Sequence, residues 1–307
     1  MTLQQLRYFI EIVKYGSINE AAKNLFLAQP SLSSAIRELE KELGFKLFIR
    51  SNRGIALSAK GTEFLGYAKQ VAEQMELLEM RYLEKKPSRQ VFSVSTQHYS
   101  FAVNAFINMI KKKGYDEYEF ALRETRTYEI IQDVKLLKSE IGIVYLSGFN
   151  TKVFEKLFRE NNLIFTPLFI ARPHIFVSRK NPLSKKESVA IEDLSPYPYL
   201  AFEQGQNNSF YFSEEILSTV FRKKSILVSD RATLFNLLIG LNGYTISTGI
   251  ISAELNGSDI ISVPLGANEF IKIGWIAHKN TTLSHLGEVY IEEMKKVIME
   301  NGFSLID

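Results

Sequence analysis

Residues 17–44 read SINEAAKNLFLAQPSLSSAIRELEKELG, and this stretch predicts two short helices joined by a tight turn. Ser17 and Glu20 have the spacing of a capping box, in which a hydroxyl and a carboxyl satisfy unpaired backbone N–H groups where a helix begins. Pro30 suits the first turn of the second helix, because the N–H that proline lacks would be unpaired there. Gly44 is placed where that helix would end.

The second helix of this pair has one apolar and one polar side. Leu32, Ile36 and Leu39 recur at helical spacing and predict the side that faces a core. Ser34 and Arg37 fall on the opposite side, where a hydroxyl and a guanidinium suit base edges and phosphates in a DNA major groove. A three-helix subdomain with an ordinary solvated face is the alternative that this pattern leaves open.

The segments on either side extend the pattern. Upstream, apolar residues recur at helical spacing within residues 3–13, and Gly16 follows where a helix ends. Downstream, two short apolar runs within residues 47–57 flank a turn, which predicts a β-hairpin. Arg50 and Arg53 lie at its tip, from which they could reach flanking phosphates or the minor groove, although a solvated turn also tolerates arginine.

Four strings near the N-terminus form a specific pattern: QLRYF at 5–9, GSINEAA at 16–22, AQPSLSSAIRELEKELGFKLFIR at 28–50 and LSAKG at 57–61. Together they resemble the DNA-binding domain of LysR-type transcriptional regulators, which implies a winged helix-turn-helix. The resemblance implies that Gln29, Pro30, Ser31, Ser33 and Arg37 contact DNA. The residue pattern adds Ser34, Arg50 and Arg53 to the predicted DNA contacts. The sequence departs from the family at Ala28, where Ser or Thr is usual and would cap the helix at a gain of about 1 kcal/mol.

A long segment without turn signals runs from residue 58 to Pro87 and predicts a linker helix. Apolar residues recur along it at alternating steps of four and three, as in a coiled-coil seam: Phe64, Ala68, Val71, Met75, Leu78 and Tyr82. Such a seam predicts a homo-oligomer, either a dimer or a tetramer, and a twofold dimer predicts a double-stranded DNA site with dyad symmetry. A helix packed on its own domain is the alternative. The polar residues 85–89 are predicted to form a hinge.

From residue 90 onward, strand and helix patterns alternate, which predicts two α/β lobes with mostly parallel sheets. Residues 209–221 are predicted to be a helix, and the chain is predicted to cross between the lobes near Thr166 and Gly266. This part resembles the effector domain of the same regulators, which is similar to periplasmic solute-binding proteins. The predicted fold is thus α+β, with a winged helix-turn-helix at 1–57, a coiled-coil linker helix and hinge at 58–89, and a two-lobed α/β effector domain at 90–307. Within the effector domain, lobe one is predicted at 90–165 and 267–307, and lobe two at 166–266.

Polar residues follow several of the predicted strands in both lobes. Ligands of such sheets bind beyond the carboxyl ends of the strands, where helix N-termini present unpaired N–H groups. The candidates for contact with a small-molecule effector are Ser95, Thr96, Gln97, His98, Thr125, Thr127, Phe202, Gln204, Gln206, Ser247 and Thr248. The alternative is that Ser and Thr here only cap helices, and that His98 is a packed or surface residue.

Four longer strings of the second half, STQHYSFAVNAF, LRETRTYEIIQDV, NSFYFSEEIL and VSDRATLFNLLIGLNGYTISTG, are similar to a narrower Gram-positive subgroup, the MtaR/CpsY-like methionine-uptake regulators. This similarity implies that the effector is a sulfur amino acid or a precursor of one. It also implies control of genes for methionine or sulfur amino acid uptake or synthesis.

The composition excludes several other kinds of protein. With 46% hydrophobic and 23% charged residues over 307 positions, the chain is an ordinary globular protein. Zero cysteines remove disulfides, thiolate nucleophiles and Cys-based zinc sites. The four His residues lack metal-ligand spacing, so no metal is expected. No run of 18 apolar residues and no secretory signal occurs, which predicts a cytoplasmic protein without a membrane span.

Two other functions were weighed against a DNA-binding regulator. A solute-binding protein would use the lobes alone and would leave the first 89 residues, with 14 Lys and Arg against 10 Asp and Glu, without a role. An enzyme would need a catalytic constellation, but the sequence has no GxGxxG, P-loop or GxSxG motif. We therefore expect no catalytic residues and no cofactor.

Overall fold

The computed structural model describes residues 1–51, 54–82, 90–114 and 116–306. Contacts between residues divide the chain into two units, Met1–Arg89 and Gln90–Asp307, which are described separately below. No helix in these ranges is long and apolar enough to cross a bilayer.

The first unit is a helix-turn-helix with a hairpin wing. The predicted helix ends are confirmed, because Gly16 and Gly44 take left-handed φ values of 63° and 75° and terminate their helices. The Ser17 hydroxyl accepts from the backbone N–H of Glu20 and begins the second helix. The elements are α1 Leu3–Tyr15, α2 Ile18–Asn24, α3 Gln29–Leu43, the antiparallel strands β1 Phe48–Ser51 and β2 Gly54–Leu57, and α4 Ala59–Tyr82.

The helix α4 divides into a packed and an exposed part. Phe64 and Ala68 join the core formed by α1, α2 and α3, and Glu79 forms an ion pair of 2.7 Å with Arg7 of α1. Val71 and Leu78, which continue the predicted seam, are instead 44% and 52% exposed. The apolar residues of the predicted seam therefore have two environments: Phe64 and Ala68 pack inside the first unit, whereas Val71 and Leu78 are exposed. The predicted hinge at 85–89 lies outside the described residues.

Lobe one of the second unit is a five-stranded sheet with strand order β4-β3-β5-β12-β6. Strands β3, β4 and β5 run parallel, and β12 is antiparallel to both of its neighbours. The elements are β3 Gln90–Thr96, α5 Ser100–Lys113, β4 Tyr118–Glu124, α6 Thr127–Lys135, β5 Ile141–Leu146, α7 Thr151–Glu160, β6 Leu163–Ala171, β12 Ile271–His278 and α10 His285–Glu300.

Lobe two is a second five-stranded sheet with strand order β11-β7-β10-β8-β9. Strands β8, β9 and β10 are parallel, so their carboxyl ends meet at one edge of the sheet. The elements are β7 His174–Ser178, β8 Tyr199–Phe202, β9 Ser225–Val228, α8 Arg231–Gly240, β10 Tyr244–Ser247, α9 Ala253–Asn256 and β11 Ile260–Pro264. The predicted two-lobed α/β architecture is confirmed.

Two details of the sequence prediction differ from the structure. Strand β6 pairs with β12 as far as Ala171, so the chain leaves lobe one after Ala171 rather than near Thr166. The return passage runs between Pro264 and Ile271 and contains Gly266. Residues 209–221 are not a helix; a single 3₁₀ turn, Phe210–Phe212, is followed by turns and bends.

Candidate functional site

The helix α3 presents a polar outer face, as the sequence predicts. Gln29, Pro30, Ser31, Ser34 and Arg37 are exposed on it. Ser33 is different, because it is only 7% exposed and adjoins the buried Leu32 and Ile36. At about 100° per residue, position 33 lies at the margin of the core side, so its hydroxyl is not presented with the others. The backbone carbonyl of Ser33 instead accepts from Arg37 Nε at 3.3 Å.

A buried carboxylate connects α3 to the start of the wing. Glu40 is 8% exposed and accepts from the backbone N–H groups of Leu47 and Phe48 at 2.9 and 3.4 Å. It also accepts from Lys46 Nζ at 2.8 Å. These bonds fix the hairpin relative to the recognition helix. Sequence reasoning did not identify Glu40, although an acidic residue four positions after the core residue Ile36 was a usable signal.

One groove runs between α3 and the wing. Gln29, Pro30, Ser33 and Arg37 line it on the helix side, together with Lys46 and Ile55 from the hairpin region. Arg50 lies in strand β1, and Arg53 lies outside the described residues. A groove with a recognition helix on one wall and a wing on the other has the layout of a winged helix-turn-helix that binds duplex DNA.

The turn before α3 carries two features of its own. Ala28 is the N-cap residue and makes no side-chain capping bond, as its departure from the family pattern implied. Phe26 is 96% exposed and has a φ of 55°. An exposed aromatic ring in a left-handed turn conformation is uncommon, because that conformation disfavours bulky side chains. The periodicity of the sequence gave no signal of this exposure.

A cavity with about 460 Å³ of empty space, part of it open solvent, lies between the two lobes. It adjoins the carboxyl ends of β8 and β10 and the N-terminus of α5, as predicted from the strand order. Three predicted effector residues line it: His98 from lobe one, and Phe202 and Ser247 from lobe two. The lining also includes residues that sequence reasoning missed, namely Tyr99, Ser100, Phe176, Glu214, Glu215, Arg231, Leu234, Phe235, Thr245, Ile246 and Ile250.

His98 connects the lobes through a buried ion pair. Its Nδ1 lies 2.9 Å from a carboxylate oxygen of Glu214, and its backbone N–H donates to the same carboxylate at 3.0 Å. The imidazole also stacks on the Phe202 ring, with a centroid distance of 3.7 Å. Burial lowers the pKa of His98, but the charge and hydrogen bond of Glu214 outweigh burial, so the pKa is raised above its ordinary value of 6.5.

Two carboxylates, Glu214 and Glu215, and two basic side chains, His98 and Arg231, line the cavity. Burial raises the pKa of Glu215 well above its ordinary value, with a further contribution from the nearby Glu214, while the backbone N–H of Phe202 opposes the rise. Glu124 of lobe one lies 3.2 Å from Arg231 of lobe two. Burial also raises the pKa of Glu124, and the Arg231 charge opposes that rise. The cavity therefore offers both acceptors and a cation to a small polar molecule.

The remaining predicted effector residues do not line the cavity. Most are buried and bonded to other protein groups: Ser95 to Asp133 and Ser139, Thr96 to the Gln97 carbonyl, Gln97 to Thr127, Gln204 to the Thr127 N–H, and Thr248 to the Ile250 N–H. Thr125 donates to Glu129, and Gln206 is exposed. These bonds hold the strand ends and the lobe interface in place.

Comparisons with known proteins agree with this architecture. Residues 3–62 match the family described as "Bacterial regulatory helix-turn-helix protein, lysR family". YeiE of Escherichia coli, an HTH-type transcriptional regulator, is 23% identical over 93% of this chain and 94% of its own length. AlsR of Bacillus subtilis, another such regulator, is 27% identical over 81% and 78%.

A solved structure shares the fold over nearly the whole chain. OxyR of Corynebacterium glutamicum, solved as a C206 mutant, superposes with a TM-score of 0.58 at 18% identity, over 97% of this chain and 94% of that one. Both curated relatives carry the description of HTH-type transcriptional regulators. Residues 3–62 therefore match a lysR-family helix-turn-helix, and most of the chain is similar to HTH-type transcriptional regulators.

Proposed function

We propose that this protein is a LysR-type transcriptional regulator that binds a dyad-symmetric promoter site as a homo-oligomer in the cytoplasm. A small-molecule effector between its lobes changes the geometry of the oligomer. The main support for an effector-driven change is the set of hydrogen bonds and the ion pair that connect the two lobes. Besides the pair of His98 and Glu214, the Thr127 N–H donates to Gln204 at 3.0 Å, and the Ser100 hydroxyl donates to the Ile250 carbonyl at 3.2 Å. A ligand that enters must bind one lobe arrangement better than the other to shift it.

The proposed DNA contacts are Gln29, Pro30, Ser31, Ser34 and Arg37 of α3, with Arg50 and Arg53 of the wing at flanking phosphates. The exposure of the α3 residues and the groove that they share with the wing support this assignment. Ser33, which the family resemblance also assigns to DNA, lines the groove but is only 7% exposed. It is therefore the weakest of the proposed contacts.

The proposed oligomer forms through the exposed part of α4. Val71, Leu77 and Leu78 are 44%, 58% and 52% exposed, although each is apolar. An apolar stripe on a long helix is the surface that a second copy of the same helix covers in a coiled coil. Such a pairing places two α3 helices on one DNA duplex, and the operator then has two half-sites.

The proposed effector is a sulfur amino acid or a precursor of one, acting on methionine or sulfur amino acid genes. The sequence similarity to methionine-uptake regulators motivates this choice. The cavity supports it, because Glu214 and Arg231 line it and could exchange their partners His98 and Glu124 for the ammonium and carboxylate groups of an amino acid. Phe202 and Phe235 offer an apolar wall.

A thermal-shift screen followed by DNA-binding assays tests the switch. A ligand at 100 times its Kd stabilises the fold by about 2.7 kcal/mol, and methionine, homocysteine and O-acetylserine are the first compounds to screen. We expect Ser247→Ala, inside the cavity, to weaken the response to a stabilising ligand about tenfold, a typical cost of one lost hydrogen bond. Gln206→Ala, outside the cavity, should leave the response unchanged. A stabilising ligand that leaves the affinity for promoter DNA unaltered would contradict the proposed switch.

A further inference from the structure

A second cavity lies at the opposite edge of the lobe-two sheet from the effector cavity. It contains about 510 Å³ of empty space, part of it open solvent, and adjoins Tyr244, the first residue of β10. The effector cavity adjoins Ser247, the last residue of the same strand. Thr245 and Ile246, which lie between these two residues, also line the effector cavity, so the two cavities adjoin neighbouring parts of β10. Ligand sites of parallel sheets are expected at carboxyl ends, so the strand order did not predict a cavity at this amino edge.

Arg222 is the main polar group of this second cavity. Its guanidinium carbon lies over the Tyr199 ring, 5.2 Å from the ring centroid. Its Nε and Nη2 are buried from solvent and make no hydrogen bond of good geometry, although the guanidinium lies near the Tyr244 hydroxyl and opposes the rise of its pKa that burial causes. Leaving buried donors unpaired is costly, and the cost is higher for a charged group. These two nitrogens lie on one side of the guanidinium and together form the fork that binds two oxygens of a carboxylate or phosphate.

The electrostatics of the cavity favour an anion. Arg222, Lys223 and Lys224 are consecutive cations that line it, and no acidic residue is among its lining residues. Lys224 Nζ donates to the Pro196 carbonyl at 3.1 Å, so this charge is held beside the cavity. Ser195 and Tyr197 also line the cavity and supply further polar groups.

We propose that this cavity is a second ligand site, which binds a small oxyanion, carboxylate or phosphate, through the Nε and Nη2 of Arg222. The site is separate from the effector cavity and does not depend on the identity of the effector. Strands β8 and β10 connect the two sites directly, since Tyr199 and Phe202 are the two ends of β8. The bound anion therefore stabilises the strands that carry Phe202 and Ser247 of the effector cavity.

The test compares the thermal stability of the full-length protein in sodium phosphate, sodium acetate and sodium chloride at equal ionic strength. Phosphate stabilises proteins in general by exclusion from their surface, so the informative quantity is the difference between wild type and Arg222→Met. We expect a rise of about 5 °C in wild type with phosphate or acetate at saturating concentration, and a much smaller rise in Arg222→Met. The salt that gives the larger difference identifies the oxyanion. Lys180→Met, which removes an exposed charge of the same lobe, should respond like wild type.

Arg222→Lys keeps the charge and removes the two-donor fork, and it is the second variant if Arg222→Met does not fold. We expect it to lose most of the response as well, because a lysine ammonium cannot reproduce the paired donors. Equal rises in wild type and Arg222→Lys, equal rises in wild type and Arg222→Met, or no rise of wild type above chloride would each overturn the proposal. None of these outcomes bears on DNA binding, which is measured separately.

Discussion

At the scale of single residues, the pair of His98 and Glu214 makes the lobe interface sensitive to pH. The pKa of His98 is raised in the folded protein, because Glu214 more than offsets the effect of burial, with Glu124 adding to the rise and Arg231 opposing it. A raised histidine pKa means that the pair contributes its full stability below about pH 6.5, and that the contribution is lost as the pH rises through the folded-state pKa.

Glu214→Gln tests this dependence. We expect the variant to melt below wild type, with a difference at pH 5.5 that exceeds the difference at pH 8.5 by about 2 °C or more. Glu155→Gln, which changes an exposed carboxylate of α7, serves as the control and should show no such trend. The same loss for Glu214→Gln at both pH values would show that the contact is not an ion pair in solution.

The effector residues show how far single positions could be predicted. His98, Phe202 and Ser247 follow strands, and strand ends are readable from the sequence, so these three were predicted to line the cavity. Glu214 and Glu215 belong to a segment predicted to be helical, which the structure shows as turns. Turns without regular periodicity give no signal of where their side chains lie, and only the packing of the lobes brings these carboxylates to His98.

At the scale of secondary-structure elements, the start of α4 depends on Gly61. A Cβ atom at this position would lie 2.1 Å from the Leu47 carbonyl oxygen, which already accepts from the Ser58 N–H at 2.9 Å. Since a backbone carbonyl held in this way cannot move aside, any side chain at position 61 must displace α4 from the wing. Gly66, in the same helix, has no atom within 4 Å of such a Cβ.

Gly61→Ala and Gly66→Ala form a matched pair. We expect Gly61→Ala to destabilise the first unit by about 1–3 kcal/mol through overpacking, whereas Gly66→Ala should stabilise it by up to about 1 kcal/mol through helix propensity. Hydrogen exchange of the α1 and α3 amides in the full chain reports the stability of this unit by itself. Similar exchange rates in both variants would exclude the close approach seen at Leu47.

The helices of the first unit were predictable because their apolar residues and caps agree. In α4 the same spacing was ambiguous, since Phe64 and Ala68 pack inside the unit while Val71 and Leu78 are exposed. Periodicity shows that a helix has an apolar side, but it does not show which partner covers that side. The helix α7 was not predicted at all, although its buried Phe154 and Phe158 have helical spacing.

At the scale of the whole molecule, the alternation of strands and helices predicted two α/β lobes, and the structure confirms them. The crossing near Thr166 was placed too early because β6 continues to Ala171 as an antiparallel partner of β12. That partner lies about 100 residues further along the chain, so its pairing cannot be read from local sequence. The pairing partners of the antiparallel strands are thus the part of the sheet topology that could not be predicted from the sequence.

The most direct test of whether α3 reads a promoter site measures the affinity of the protein for two DNA fragments as a function of salt concentration. One fragment contains the dyad, and the other is a scrambled promoter fragment. We predict that wild type prefers the dyad fragment by about 10³-fold or more. Arg37→Ala should bind more weakly with a salt slope reduced by about 1, and Gln29→Ala should lose preference for the dyad fragment. Lys14→Ala, at the exposed end of α1, should behave like wild type. A wild-type protein that binds both fragments equally, with slopes unchanged in Arg37→Ala, would contradict the account.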